Sequence, residues 1–217
     1  MLISVKMIDP NGNATRKQYT FNTSIKDLKK GERVLVDTQF GEQVAIVCKY
    51  VKNQTATKNV IKRLSIIEAE IIIEFIEKRN LKKLFDKYQF DEANFKGINY
   101  NVPTENGYNT KLKAHIKSEE EMYKLGFTNH HEPVWYFSKR IESMPNISFN
   151  VSIYKETQKI KIDVLDENFL QPYNYQRMLA DDPTFKYAMI THAQVQYWMN
   201  YLLENRIISG YIENDYI

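Results

Sequence analysis

The stretch "ISFNVSIYKETQKIKIDVL", residues 147–165, decides the fold class. Apolar and polar residues alternate on both sides of "KETQ", the pattern of two half-buried strands joined by a short loop. With KETQ as the loop, Phe149, Val151 and Ile153 face Val164, Ile162 and Ile160 across the ladder. All six then share one face, as an antiparallel pair buried on one side requires.

The far end of that hairpin carries three acids close together, Asp163, Asp166 and Glu167. In this register Asp163 lies on the polar face, beside Asn150 and diagonal to Lys161 and Ser152. Asp166 and Glu167 come where the strand ends, a place where acids are common. A two-metal site draws carboxylates from several elements, and no D-x-D, H-x-H or E-x-K pattern elsewhere supplies the others. A metal-dependent enzyme built on Asp163, Asp166 and Glu167 is therefore an alternative rather than the main reading. Next, "QPYNYQ" (171–176) places Tyr173 and Tyr175 around a proline turn. The two tyrosines serve either as an exposed recognition loop or as anchors of the turn against the sheet, each offering apolar area and a hydroxyl.

Beyond it, Asp182-Pro183 reads as an N-cap and a first-turn proline, opening a helix that runs to about Ile207. Its apolar stripe contains His192, which reads as an interior residue rather than a ligand. Upstream, "SEEEMYKLGF" (118–127) is a short helix ended by Gly126, and "EPVWYFSKRI" (132–141) is a strand. His130 and His131 cannot both reach one ion from an extended strand, because neighbouring side chains face opposite ways. In a loop they could, with Glu132 assisting; His115 stands apart. Zinc ligands normally come in pairs two to four residues apart. Residues 115–217 thus form a compact α+β domain.

The N-terminal third reads differently. "LISVKMI", "KQYTFNT", "ERVLVDT", "GEQVAIVCKYV" and "ATKNVIKRL" are five short strands, separated by turns such as "DPNGN" (9–13). Such a set predicts a small barrel over 1–64. Ser65 and Glu68 form a capping box and open a helix over 65–90. Ile67, Ile71, Ile72 and Phe75 widen its apolar stripe nearly all round. That predicts burial on more than one side, and makes a homodimer through 66–88 plausible. Residues 91–114, rich in Asn and Lys, read as a linker.

The fold class is α+β. The 217 residues carry 43% hydrophobic residues, enough for packed cores. The single cysteine, Cys48, cannot form an intrachain disulfide, which argues for a reducing compartment. It sits in an apolar strand, where a buried, unreactive thiol is expected. No 18-residue apolar run exists, so no membrane span is expected, and the N-terminus lacks a signal peptide's long apolar core. A cytoplasmic protein is the expectation. No P-loop, G-x-G-x-x-G or G-x-S-x-G is present; no catalytic residue, metal ligand or cofactor is assigned.

Charge is uneven. Residues 1–90 hold 17 Lys+Arg against 10 Asp+Glu, a balance of +7, and the remaining residues hold 13 against 17, a balance of −4. A basic and an acidic half point to two different partners, or to each other. Lys29, Lys30, Arg33, Lys49, Lys52, Lys58, Lys62 and Arg63, with Tyr173 and Tyr175, are the candidate partner- or nucleic-acid-binding residues. An aromatic stacking face of the RRM kind is absent from the pattern.

Residues 1–68, through "VKMIDPNGNATRKQYTFNT", "DLKKGERVLVDTQFGEQVAIVCKYV" and "ATKNVIKRLSIIEAE", resemble a small SH3-like barrel found in proteins of phages and prophages of Gram-positive bacteria. "IKIDVLDENFLQPYNYQ" and a late helix ending in "ISGYIENDYI" also resemble uncharacterised phage proteins. The resemblance covers about half the chain and supplies no catalytic residue. It implies a phage accessory protein in the cytoplasm of a bacterial host, binding a host protein or ribonucleoprotein. An anti-CRISPR type of nuclease inhibitor is the sharpest version. A DNA- or RNA-binding protein acting through the basic barrel is the alternative.

Overall fold

Five strands open the chain: β1 (Leu2–Ile8), β2 (Ala14–Asn22), β3 (Arg33–Thr38), β4 (Gly41–Val51) and β5 (Val60–Leu64). The computed structural model describes residues 1–9, 11–98, 112–131 and 133–210. The strands form one antiparallel sheet in the order β2-β1-β4-β3-β5. Apolar runs such as "RVLVDT" and "QVAIV" are apolar on both faces of their strands. Successive side chains point to opposite faces, so the sheet has two buried sides. One side gathers Ile3, Val5, Val34, Val36, Ala45 and Val47 with Phe21 and Leu28. The other brings Leu35, Val44 and Leu64 against Ala69, with Ile72 and Ile73 packed on them.

The sheet does not close. Its outer strands meet at a single parallel bridge, Asn22 with Asn59. The strand order also departs from the chain order, since β1 pairs with β4 and β3 with β5. The five expected strands are present, but no closed barrel is formed among the described residues.

Helix α1 (Ile66–Lys87) follows. Its capping box is in place: the Glu68 amide donates to the Ser65 hydroxyl (3.2 Å) and the Ser65 amide to the Glu68 carboxylate (2.8 Å). Burial on more than one side is not seen within the single chain. Ala69 and Ile76 are buried, while Ile67, Ile71 and Phe75 are 69%, 61% and 64% exposed. A helix laid on a sheet covers one face only, and the other apolar row of α1 has no sheet beneath it.

The chain divides into two compact units, Met1–Lys83 and Leu84–Ile217, with the boundary inside α1. The second unit holds a 3-10 turn (Glu92–Asn94), β6 (Leu112–Ala114), α2 (Glu119–Lys124), β7 (Thr128–His131), β8 (Val134–Ile141), β9 (Met144–Tyr154), β10 (Ile160–Asp166), β11 (Gln171–Pro172), α3 (Tyr175–Asp181), α4 (Lys186–Glu204) and β12 (Ile208–Gly210). Of the stretch 91–114 read as a linker, residues 92–94 form the turn, and residues 112–114 a strand paired with β12. Most of the remainder, including Pro103, and the terminal "YIENDYI" lie outside the described residues, as does Glu132.

Strands β7 to β11 form a second antiparallel sheet in chain order. The β9–β10 register is the expected one: Ile160 opposite Ile153, Ile162 opposite Val151, Val164 opposite Phe149. On the apolar face Phe137 packs against the rings of Trp198 and Tyr201 on α4. Both tryptophans, Trp135 and Trp198, belong to this unit. Every residue of α4 from Ala188 to Val195 is buried. One boundary differs from expectation. Asp182 caps the C-terminus of α3, and its carboxylate accepts from the Thr184 amide and hydroxyl. The helix α4 therefore starts at Lys186 instead of at Pro183.

Candidate functional site

The three late acids take three separate settings. Asp163, opposite Asn150 in the ladder, accepts from the Asn150 amide at 3.1 Å and lies 3.4 Å from the Lys161 ammonium. Asp166 accepts from the Asn168 amide within the turn. Glu167 pairs with Arg140 at 3.2 Å. Asn150 is buried on the polar sheet face. It accepts from the Tyr136 and Ser138 hydroxyls and donates to Ser148 and Asp163. Asp163 therefore serves a hydrogen-bonded polar layer. Among the described residues no three His, Cys, Asp or Glu side chains gather to hold a metal ion.

The histidines are dispersed as well. His130 and His131 both lie in β7. His115 bonds Ser209 at 2.6 Å, tying β6's end to β12. His192 is buried among the rings of Phe90, Phe95 and Tyr175. Cys48 is half-buried rather than buried, its thiol 3.8 Å from the Ile46 carbonyl.

Tyr175 does not belong to a recognition loop. It starts α3, its ring is buried, and burial holds its phenol well above the ordinary tyrosine range. Its neighbour Tyr173 is half-buried, and its amide bonds the Val164 carbonyl. The Tyr175 ring packs near His192 of α4 and is too buried to meet a partner, while the Tyr173 backbone ties the turn to β10.

The basic residues separate into two groups. Lys58 pairs with Asp37, Lys62 with Glu68, and Arg63 with Asp27 and Glu32. These cations knit β5 to its surroundings. Lys29, Lys30, Arg33, Lys49 and Lys52 make no ion pair among the described residues. Tyr50 joins the chain segments that carry four of them, Lys29, Lys30, Lys49 and Lys52. Its hydroxyl accepts from the Leu28 amide (3.1 Å) and donates to the Ile25 carbonyl (3.2 Å). The Gly31 and Val47 amides donate to the Val47 and Glu32 carbonyls alongside. This lays the segment carrying Lys26, Lys29 and Lys30 against the end of β4 that carries Lys49, with Lys52 just beyond the strand. Tyr50 remains 41% exposed.

No protein-family profile matches the chain, and no curated protein matches it. Among solved structures it is similar to a DUF1831 family protein from Lactobacillus plantarum, at 13% identity and a TM-score of 0.36, over 46% of this chain and 84% of that one. A likeness of that size carries no functional argument. The chemistry of the chain's own surface has to carry it.

Reading residues along the chain finds the lysines but not Tyr50, which joins them. The available signal is an aromatic flanked by lysines at a strand end, "CKYVK". A second grouping is illegible in the sequence. Glu142, in the β8–β9 turn, accepts from Lys87 and from the Tyr88 hydroxyl (3.0 Å). Its backbone amide donates to Gln194 of α4 at 2.8 Å, and its carbonyl accepts from the same side chain at 3.3 Å. The Lys87 hydrogen bond holds Glu142 below the ordinary carboxylate range. Burial, with Glu142 alongside, pushes Tyr88 up to about 12. This grouping locks a turn in place and offers no reactive group.

Proposed function

We propose that the chain is a non-enzymatic binding protein whose docking surface is the cationic group around Tyr50 in its first unit. The observation that carries this reading is the tie from Tyr50 to Ile25 and Leu28, which sets the segment holding Lys26, Lys29 and Lys30 beside the strand end holding Lys49, with Lys52 just past it. Cations carried on neighbouring segments repel one another and gain from an anionic partner. The first unit holds 16 Lys+Arg against 9 Asp+Glu, and the second holds 14 against 18. The favoured partner is a host protein or ribonucleoprotein with an anionic face. The resemblance of the N-terminal sequence to proteins of phages of Gram-positive bacteria supports a phage accessory role. Inhibition of a bacterial defence nuclease is its sharpest form. The test is capture from a Gram-positive host lysate, beside a variant with Lys29, Lys30, Lys49 and Lys52 changed to Ala. A nuclease or ribonucleoprotein held by the parent, lost with the variant and inhibited by the purified chain is expected. Equal capture by both would end this reading.

A second reading, direct DNA or RNA binding, is favoured by Tyr50 itself, since an exposed ring among lysines suits stacking on an unpaired base. A gel shift over a range of salt concentrations separates it from the first.

A further inference from the structure

The outward row of α1 combines exposed apolar side chains with a charge gradient. Ile67, Ile71 and Phe75 stand one turn apart on the face turned away from the sheet. Lys78 and Lys82 continue the same row. Residues 66–77 hold four Glu and no Lys or Arg, whereas residues 78–87 hold five Lys or Arg and one Asp. The helix is thus acidic and apolar in its first half, basic in its second.

We propose that α1 is the interface of an antiparallel homodimer. Two copies of this helix complement each other only when they run in opposite directions. The acidic half of each then lies on the basic half of the other, and the aliphatic stems of Lys78 and Lys82 cover Ile71 and Ile67 of the second copy. With the two-fold axis at Phe75, the two Phe75 rings meet. Glu74 faces Lys78 of the second copy and Glu68 faces Lys82. Such a contact is self-complementary, as a two-fold interface demands. A parallel pair sets Glu against Glu and Lys against Lys. An antiparallel pair centred on Ile71 gives more apolar contact, but places Glu68 opposite Glu74 of its mate. The in-chain pairs Glu74–Lys78 and Glu68–Lys62 are largely exposed, so exchanging them for cross-chain pairs costs little. Two single helices bury less than a standard interface, so the dimer is weak and concentration-dependent. The proposal stands independently of the binding surface at Tyr50.

Sedimentation analysis of the full chain across a wide concentration range is the test. The mass is expected to move from one chain toward two. Phe75→Glu is expected to weaken association at least about tenfold while leaving the circular dichroism spectrum unchanged, since the side chain is exposed. The pair Lys78→Glu/Lys82→Glu and the pair Glu68→Lys/Glu74→Lys should each be monomeric alone and associate when mixed. Orientation is read in a Cys48→Ser background: Ile67→Cys is expected to crosslink with Lys82→Cys and not with itself. A chain that stays monomeric at millimolar concentration, a dimer that survives Phe75→Glu, or self-crosslinking of Ile67→Cys overturns the proposal. So does a monomer whose α1 row is covered by a different protein.

Discussion

Glu142 occupies the two-residue turn between β8 and β9, next to Ser143 at a φ of 70°. Gln194 fixes this turn by bonding both the amide and the carbonyl of Glu142. Gln194 is itself fully buried. Gln194→Ala leaves two backbone groups without their partner and is expected to cost about 1–3 kcal/mol. A urea titration followed by tryptophan fluorescence reads this directly, because both tryptophans lie in the same unit; an unchanged midpoint would refute it. The carboxyl of Glu142 gives a pH prediction. Lys87 and Tyr88 depress its pKa, so its contact adds stability above the unfolded glutamate's pKa and loses it as pH falls through the folded one. An NMR titration should give a midpoint below that of a free glutamate, rising toward it in Lys87→Ala. A midpoint at or above the free value would show the contact is not made in solution. The Ser65–Glu68 capping box was readable beforehand because its partners are three residues apart. The Gln194–Glu142 contact was not, because 52 residues separate them and nothing local marks either.

The β9–β10 hairpin was legible down to its register, because a period of two admits only one burial pattern. The boundary between α3 and α4 was not. Asp-Pro signals a helix start and a turn equally well, and here the carboxylate of Asp182 serves a turn. Helix α1 shows a third case. Its apolar residues surround the first turns, and no count of them reveals which row meets the sheet. Ala69 does so, with no exposed surface, in contact with the core of Leu35, Val44 and Leu64. A small residue at this spot sets how closely helix and sheet approach. Ala69→Leu should overfill the space and cost about 1–3 kcal/mol, read as faster amide exchange in β3 and β4. Exchange equal to the parent's would mean that the contact is loose.

Across the whole chain, the two units differ in charge and in chromophores. If Lys26, Lys29, Lys30, Lys49 and Lys52 contact the phosphates of a single strand, binding should fall with a log–log salt slope of roughly −3 to −4. Lys29→Ala/Lys30→Ala should flatten that slope by about 1.4. A slope near zero excludes electrostatic nucleic-acid binding at this surface. Urea unfolding offers a second test. Tryptophan fluorescence reports the second unit alone, while far-ultraviolet circular dichroism reports both. Midpoints that differ between the two probes are expected from units that each hold a core of their own. Coincident midpoints would mean that the chain unfolds as one.

Strand β2 forms one margin of the first sheet, and along its nine residues it exposes Arg16, Lys17, Gln18 and Tyr19. A sheet margin with unpaired backbone groups recruits foreign strands into fibres, and two adjacent cations oppose that approach. Where this protection runs out, at Asn22, the backbone amide is occupied by the Lys58 carbonyl. Replacing Arg16 and Lys17 with Val and Ile would leave the native sheet intact and turn the protein toward amyloid-like precipitation.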